Sequence, residues 1–216
     1  MYYTDFGDIP TNHYSVIYAD PPWSYNDKMS GHSFSLDHEY ATTPLTWLKT
    51  LPVRNITAKD GACLMWVTNP FLDVGIEVMK AWGFKYVTVA FCWVKSLASG
   101  KDAVNLGRWT MGGMELCLLG RKGKVQRTAR NVRQIVRAVR GRHSEKPSEV
   151  RRRIETLFGE TNRIELFARG ETPGWDQFGN EPGCECWDNH AIADVTAASC
   201  GCSCHRANAD PQLAVS

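Results

Sequence analysis

A chain of 216 residues with 43% hydrophobic, 11% aromatic and 22% charged residues is long enough for one sizeable core and too apolar to stay unfolded. Twenty-five lysines and arginines against 23 aspartates and glutamates leave a net charge of only +2, which at face value argues against a polyanionic partner. No apolar run approaches the roughly 18–20 residues that span a bilayer, and the start MYYTDFGDIP lacks a basic-then-apolar signal, so a cytoplasmic chain with no membrane partner is expected.

Short apolar runs alternate with helical patterns along the chain, which is how a parallel α/β sheet reads. Strands are predicted at 15–19 (SVIYA), 62–68 (ACLMWVT), 86–94 (YVTVAFCWV), 115–120 (ELCLLG) and 163–167 (RIELF). Most are apolar at alternating positions of both faces, as strands covered by helices on each side must be. Asn69-Pro70 predicts a helix start, with asparagine as cap and proline where no bond is lost. Leu72, Ile76, Met79 and Trp82 then form one apolar stripe, and Gly83 supplies the stop. A second helix is predicted from Pro147, with Val150, Ile154, Leu157 and Phe158 on one face, and a weaker one over 45–51.

Two stretches, 24–44 and 96–113, show no sustained period; loops of that length inside a domain are commonly binding loops or lids. Beyond Gly183 the apolar periodicity stops, so a domain over 1–183 and a tail over 184–216 are expected. Cys63, Cys92 and Cys117 lie singly in apolar runs and read as buried hydrophobes. Cys184, Cys186, Cys200, Cys202 and Cys204, with His190 and His205, crowd into the tail. Their C-x-C spacing is not the C-x-x-C of a zinc knuckle, so a reduced, flexible tail without metal is expected.

The most informative string is Asp20-Pro21-Pro22-Trp23, directly after the strand over 15–19. In a parallel sheet, ligands bind beyond the carboxyl ends of the strands, where this tetrapeptide sits. Proline fixes φ and donates no amide hydrogen, which holds the local carbonyls rigid and free to accept. One carboxylate and one fixed carbonyl together can accept both hydrogens of an exocyclic amino group, and an indole offers a flat face to a base. The combination suits an amino-bearing heterocycle such as adenine or cytosine.

DPPW resembles the catalytic motif of amino-methyltransferases that use S-adenosylmethionine, and the wider chain is similar to the MT-A 70-kDa family of adenine N(6)-methyltransferases, in its phage and bacterial DNA branch. The likeness runs from about Val16 to Glu181 and covers YADPPW, Trp66-Val67-Thr68-Asn69, Ala81-Trp82-Gly83-Phe84, Trp93-Val94-Lys95, Glu115 with LCLLGRKG, His143-Ser144-Glu145-Lys146-Pro147 and Ile164-Glu165-Leu166-Phe167. The resemblance implies a Rossmann-like class I methyltransferase sheet with helices on both faces, permuted so that the catalytic motif precedes the cofactor strand. It also implies S-adenosyl-L-methionine as cofactor. Phe167 and Arg169 would flank it, Asn180 and Glu181 would hold its ribose or adenine, and Lys95 would pair with its carboxylate or face the target base. Two stretches depart from the family pattern: 109–114 is poor in polar side chains, and Gly170-Glu171-Thr172 replaces polar, often basic, residues.

The expected reaction is direct in-line methyl transfer to adenine N6. Asp20 and the Pro21 carbonyl accept the two N–H bonds, Pro22 stiffens the turn and Trp23 stacks the base. Binding supplies alignment, with no metal and no covalent nucleophile.

Charge distribution reverses the first impression. Residues 121–153 hold 13 basic side chains against Glu145 and Glu149, a net +11, whereas the remainder holds 12 basic and 21 acidic residues, a net −9. A polyanion is the natural partner of the basic stretch. Tyr25, Arg121, Lys122, Lys124, Arg142, His143 and Lys146 are the expected substrate contacts, and 24–44 and 96–113 the loops that grip a base flipped from its duplex. DNA is the expected substrate and RNA the alternative, in a monomer or homodimer. A non-catalytic nucleic-acid-binding subunit is the competing class, against which the intact DPPW argues.

Overall fold

The computed structural model describes residues 1–23, 45–107, 109–140 and 145–179. Its strands are β1 (Tyr2–Tyr3), β2 (Tyr14–Ala19), β3 (Thr57–Val67), β4 (Lys85–Ser96), β5 (Met114–Lys122), β6 (Ile135–Val139), β7 (Arg163–Leu166) and β8 (Asp176–Phe178). Its helices are α1 (Leu45–Thr50), α2 (Val53–Ile56), α3 (Leu72–Ala81) and α4 (Ser148–Phe158). The strands join in one sheet of order β1-β8-β7-β2-β3-β5-β4-β6.

The sheet is α/β with helices on both faces, but not wholly parallel as expected. β5 runs antiparallel to both its neighbours, β3 and β4, while every other pairing is parallel. The reason lies in the connection. A return to a parallel neighbour needs a crossover, usually helical, whereas residues 97–107 and 109–113 form no helix and fold as a hairpin arm. The bridges Ser96 to Asp102 and Asn105 to Gly112 continue that arm beyond the sheet.

Period-two alternation splits the central strands between two apolar layers. Ile17, Ala19, Cys63, Met65 and Val67 face α1, α2 and α3, packing with Leu48, Val53, Ile56, Val78, Met79 and Trp82. Val16, Tyr18, Leu64 and Trp66 face the other way and pack with Val136 and with Val150 and Ile154 of α4. Both sides of β2 and of the second half of β3 are therefore covered, which explains the apolar runs at 16–19 and 62–67.

α3 starts later than the Asn69 cap predicts. A 3-10 turn occupies Asn69–Phe71, no side chain caps it, and the α-helix proper begins at Leu72. Its buried face is Gly75, Val78 and Met79, continued by Trp82, while Leu72 is exposed at the rim. Gly83 ends it as expected, at φ +87°. Cys63 and Cys117 are buried free thiols, and burial pushes both up in pKa, so they stay protonated and unreactive.

No helix among the described residues is long and apolar enough to cross a membrane. No cluster of potential metal ligands occurs among the described residues. The cysteines of 184–216 lie outside them.

Candidate active site

β2 and β7 are parallel neighbours, with Ala19 opposite Leu166, and the Asp20 amide continues their ladder to the Leu166 carbonyl at 3.5 Å. Asp20 thus stands at the carboxyl end of the sheet beside Phe167, as the motif predicts. The next residue, Pro21, is buried, so its fixed backbone lies at the inner wall of the site.

Four charged side chains from four separate elements meet here. Lys146, in the segment before α4, donates from Nζ to Asp20 Oδ2 at 2.7 Å and reaches Glu115 Oε2 at 3.4 Å. Lys95, at the end of β4, donates to Glu115 Oε1 at 2.5 Å. The sequence Asp20, Lys146, Glu115, Lys95 alternates in sign and carries no net charge. That cancellation lets it persist in a poorly solvated place, where an isolated charge would be costly.

The electrostatics follow from burial against pairing. Burial alone would lower the Lys146 pKa, but the Asp20 and Glu115 carboxylates outweigh it and hold the ammonium above its ordinary value. Burial alone would raise Glu115, but Lys146 and Lys95 hold its carboxyl below the usual carboxylate range. Both groups are charged at neutral pH. The Lys146 ammonium also lies 5.8 Å from the Trp66 ring centre, and Lys95 lies 5.0 Å from that of Trp93.

Trp23 corrects an expectation. It offers no open face to a base: it is 9% exposed, its Nε1 donates to the Trp66 carbonyl at 3.0 Å, and its ring stacks on Phe71 at 5.9 Å. The 3-10 turn after β3 brings Phe71 to it. An indole has one donor and much apolar area, and both are spent on anchoring the motif to the end of β3. Trp23 therefore positions Asp20.

On the other side of Asp20, β7 ends in an unusual backbone. Phe167 has φ +65°, a left-handed conformation that costs an aromatic residue about 1–2 kcal/mol. The kink turns the chain sharply away from the sheet, and the half-buried Phe167 ring meets Trp47 edge to face at 6.5 Å. β7 itself is fixed by a buried fork: Arg151 of α4 donates to both Glu165 oxygens at 2.7 and 2.6 Å. Past β8, Gly179 lies so close to the strand end that a Cβ there would sit 2.1 Å from the Ala168 carbonyl. This close approach leads the chain towards Asn180 and Glu181, which lie outside the described residues. A flat ring at a sharp strand end, with the exposed Arg169 guanidinium beyond it, fits an adenosyl cofactor that carries a carboxylate.

Lys95 does not belong with that group. β4 lies four strand spacings from β7, about 19 Å at roughly 4.8 Å each, and its ammonium is engaged by Glu115. It sits on the flank of Asp20 away from Phe167. Arg121, Lys122 and Lys124 need a larger correction. Because β5 is antiparallel, Leu116 pairs with Val67 near the site while Lys122 pairs with Gly61 at the opposite end of the sheet. Lys122 spends its ammonium on the Arg54 and Thr57 carbonyls at 3.0 and 2.9 Å. Lys146, by contrast, stands at Asp20. Tyr25, Arg142 and His143 lie outside the described residues. Glu115 was missed as a site residue, although one signal was available: a lone carboxylate opening the otherwise apolar run ELCLLG.

Comparison with known proteins agrees with this geometry. The MT-A70 family model matches residues 14–181, from the first residue of β2 to just past β8. Type II methyltransferase M.MunI of Mycoplasma sp is 40% identical over 194 residues, covering 82% of this chain and 81% of that protein. The N(6)-adenosine-methyltransferase catalytic subunit METTL3 of Homo sapiens is 30% identical over 178 residues, covering 78% of this chain but only 28% of its own length. The N(6)-adenosine-methyltransferase MT-A70-like protein of Drosophila melanogaster is 31% identical, with 27% of its length covered. A family match from β2 through β8, with the DPPW carboxylate at the strand end where the family chemistry needs it, makes this chain a member of the MT-A70 family.

Proposed function

We propose that this chain is an S-adenosylmethionine-dependent methyltransferase that modifies the exocyclic N6 amine of adenine in DNA. The observation that carries the reading is Asp20: a carboxylate held at the end of β2 by Lys146, with Pro21 next to it and the kinked end of β7 alongside.

The adenine amine is a poor nucleophile because its lone pair is delocalised into the ring. Asp20 accepts one N–H and the Pro21 carbonyl the other, which favours a pyramidal nitrogen whose lone pair points away from both. Lys146 and Trp23 fix the carboxylate so that no reorganisation is needed when charge develops. The bound cofactor supplies an electrophilic methyl sulfonium. As the C–N bond forms and the S–C bond breaks, the amine becomes acidic, and Asp20 takes its proton and returns it to solvent. Phe167 and Arg169, with Asn180 and Glu181, hold the cofactor on the β7 flank; Glu115 and Lys95 line the other flank, towards the target base.

DNA is favoured over RNA because the relative matched over most of its own length is a Type II methyltransferase, whereas the N(6)-adenosine-methyltransferases are matched over about a quarter of theirs. Incubation with labelled S-adenosylmethionine and parallel DNA and RNA substrates, followed by nucleoside analysis, tests the reading. N6-methyladenine in DNA, lost in Asp20→Ala, is expected. Label on cytosine, label only in RNA, or undiminished transfer by Asp20→Ala would overturn it.

A further inference from the structure

The arm between β4 and β5 rises from the active site itself. Its base is Lys95 and Glu115, the outer pair of the charged quartet, and the Lys95 amide donates to the Gly113 carbonyl at 2.8 Å. Above that base, Ala103 is buried and its amide bonds the Lys95 carbonyl at 2.8 Å, while Asn105 and Gly112 exchange amide bonds at 2.6 and 2.8 Å. The tip is tightly built: a Cβ at Gly107 would lie 2.2 Å from the Thr110 carbonyl, and one at Gly113 would lie 2.9 Å from the Ala103 carbonyl. The arm is thus braced by its own backbone.

What it carries is unexpected for a braced surface element. Leu106 is 93% exposed, Trp109 97% and Met111 65%, so the tip presents three large apolar side chains to water. Such a display marks a surface that is covered by something else. The surroundings indicate what. β6 runs parallel to β4 and ends at the arm, with Val139 opposite Ser96 and the Arg140 amide bonded to the Ser96 carbonyl at 2.9 Å. This brings exposed Arg137 and Arg140 beside exposed Lys101, with Asp102 the acid among them, 3.6 Å from Arg137. An apolar tip on an arm with cations at its base fits a polyanion with an apolar interior, which is a stacked duplex.

We infer that Leu106, Trp109 and Met111 form a wedge that enters the base stack of duplex DNA beside the target adenine. The inference rests on the methyltransferase reading above, because a base in a duplex reaches Asp20 only after leaving its stack. Trp109 stands six positions before Glu115, a reach of at most about 20 Å. The tip therefore lies close enough to fill the gap that the departing base leaves.

The test compares the full chain with Trp109→Ala and Trp109→Phe on closed circular plasmid relaxed by a topoisomerase, since a wedge that parts base steps unwinds the helix and changes the linking number. The wild type is expected to unwind. Trp109→Ala should bind the same DNA in gel retardation while unwinding about fivefold less, and Trp109→Phe should retain most of the effect. Because Trp109 is 97% exposed, the variants should melt with the wild type, and Leu106→Ser with Met111→Ser provides a second variant of the same tip. Binding without unwinding by the wild type, or equal unwinding by Trp109→Ala, would overturn the wedge. So would sedimentation in which Trp109→Ala splits a wild-type dimer, since the tip would then meet a second copy of the chain. Unwinding by the wild type without methyl transfer to that DNA would leave the wedge standing and remove the proposed reaction.

Discussion

Replacing Lys146 with methionine removes the one ammonium that touches both site carboxylates while keeping its apolar stem. The side chain is 8% exposed, with Asp20 Oδ2 at 2.7 Å and Glu115 Oε2 at 3.4 Å. Truncating one partner of a buried pair costs about 3–5 kcal/mol, chiefly through the charge left behind. Here Glu115 keeps Lys95 and Asp20 is 23% exposed, so water recovers part of the loss and about 3 kcal/mol is expected. For a domain of this size that lowers the thermal midpoint by roughly 6–12 °C. The assay is a double-mutant cycle by thermal denaturation with Asp20→Asn, which abolishes the orphaned charge. The two substitutions should couple by at least about 1 kcal/mol, with the double variant more stable than the sum predicts. A midpoint shift below about 2 °C, or additivity within about 0.5 kcal/mol, would refute the claim that the quartet is one electrostatic unit.

Three further outcomes follow from the same coordinates. Glu115 has its folded pKa below the ordinary 4.5, so its contribution to stability is present above pH 4.5 and disappears as pH falls through the lower folded value. Lys146 has its pKa raised above 10.5, so its contribution is complete below pH 10.5 and disappears as pH rises through the higher folded value. Thermal midpoints should therefore drop on the acid side below pH 4.5, and Glu115→Gln should make that drop shallower; an unchanged acid limb in Glu115→Gln would contradict the pairing. At Phe167 the glycine variant should be more stable than the alanine variant by about 1 kcal/mol, since both lose the ring but only glycine accepts φ +65° freely; equal denaturant midpoints would mean that the kink is unstrained. Gly75→Ala should destabilise by about 1–3 kcal/mol despite better helix propensity, because its Cβ would meet Val67 Cγ1 at 2.3 Å, and Val67→Ala should reverse part of the loss. Failure of Val67→Ala to help would place the clash elsewhere.

What could be read from the sequence divides along physical lines. β2, β3, β4, β5 and β7 were foreseen because apolar runs are local, and α3 and α4 because a helix period is local. β6 (IVRAV) escaped because an arginine interrupts its short run, and β1 and β8 are too short to carry a pattern. The direction of β5 was invisible, since ELCLLG reads as a buried strand whichever way it points. Asp20 was legible because a strand, two prolines and an aromatic are contiguous. The quartet was not: its members stand at 20, 95, 115 and 146, and only the folded sheet brings them together. Trp23 was misread for a related reason. Sequence shows that an indole is near Asp20, but its partners, the Trp66 carbonyl and Phe71, come from the end of β3 and the turn after it, more than 40 residues away in the chain.

The strand order has a consequence for how such a protein changes over generations. Asp20 lies on a watershed, with β7 and β8 on one flank and β3, β5, β4 and β6 on the other. On the proposed reading the cofactor is held on the first flank and the target base is met on the second. Insertions or exchanges in the β4–β5 arm would then alter target choice without disturbing a residue of the β7 turn, and swapping that arm between family members would separate target choice from the chemistry at Asp20.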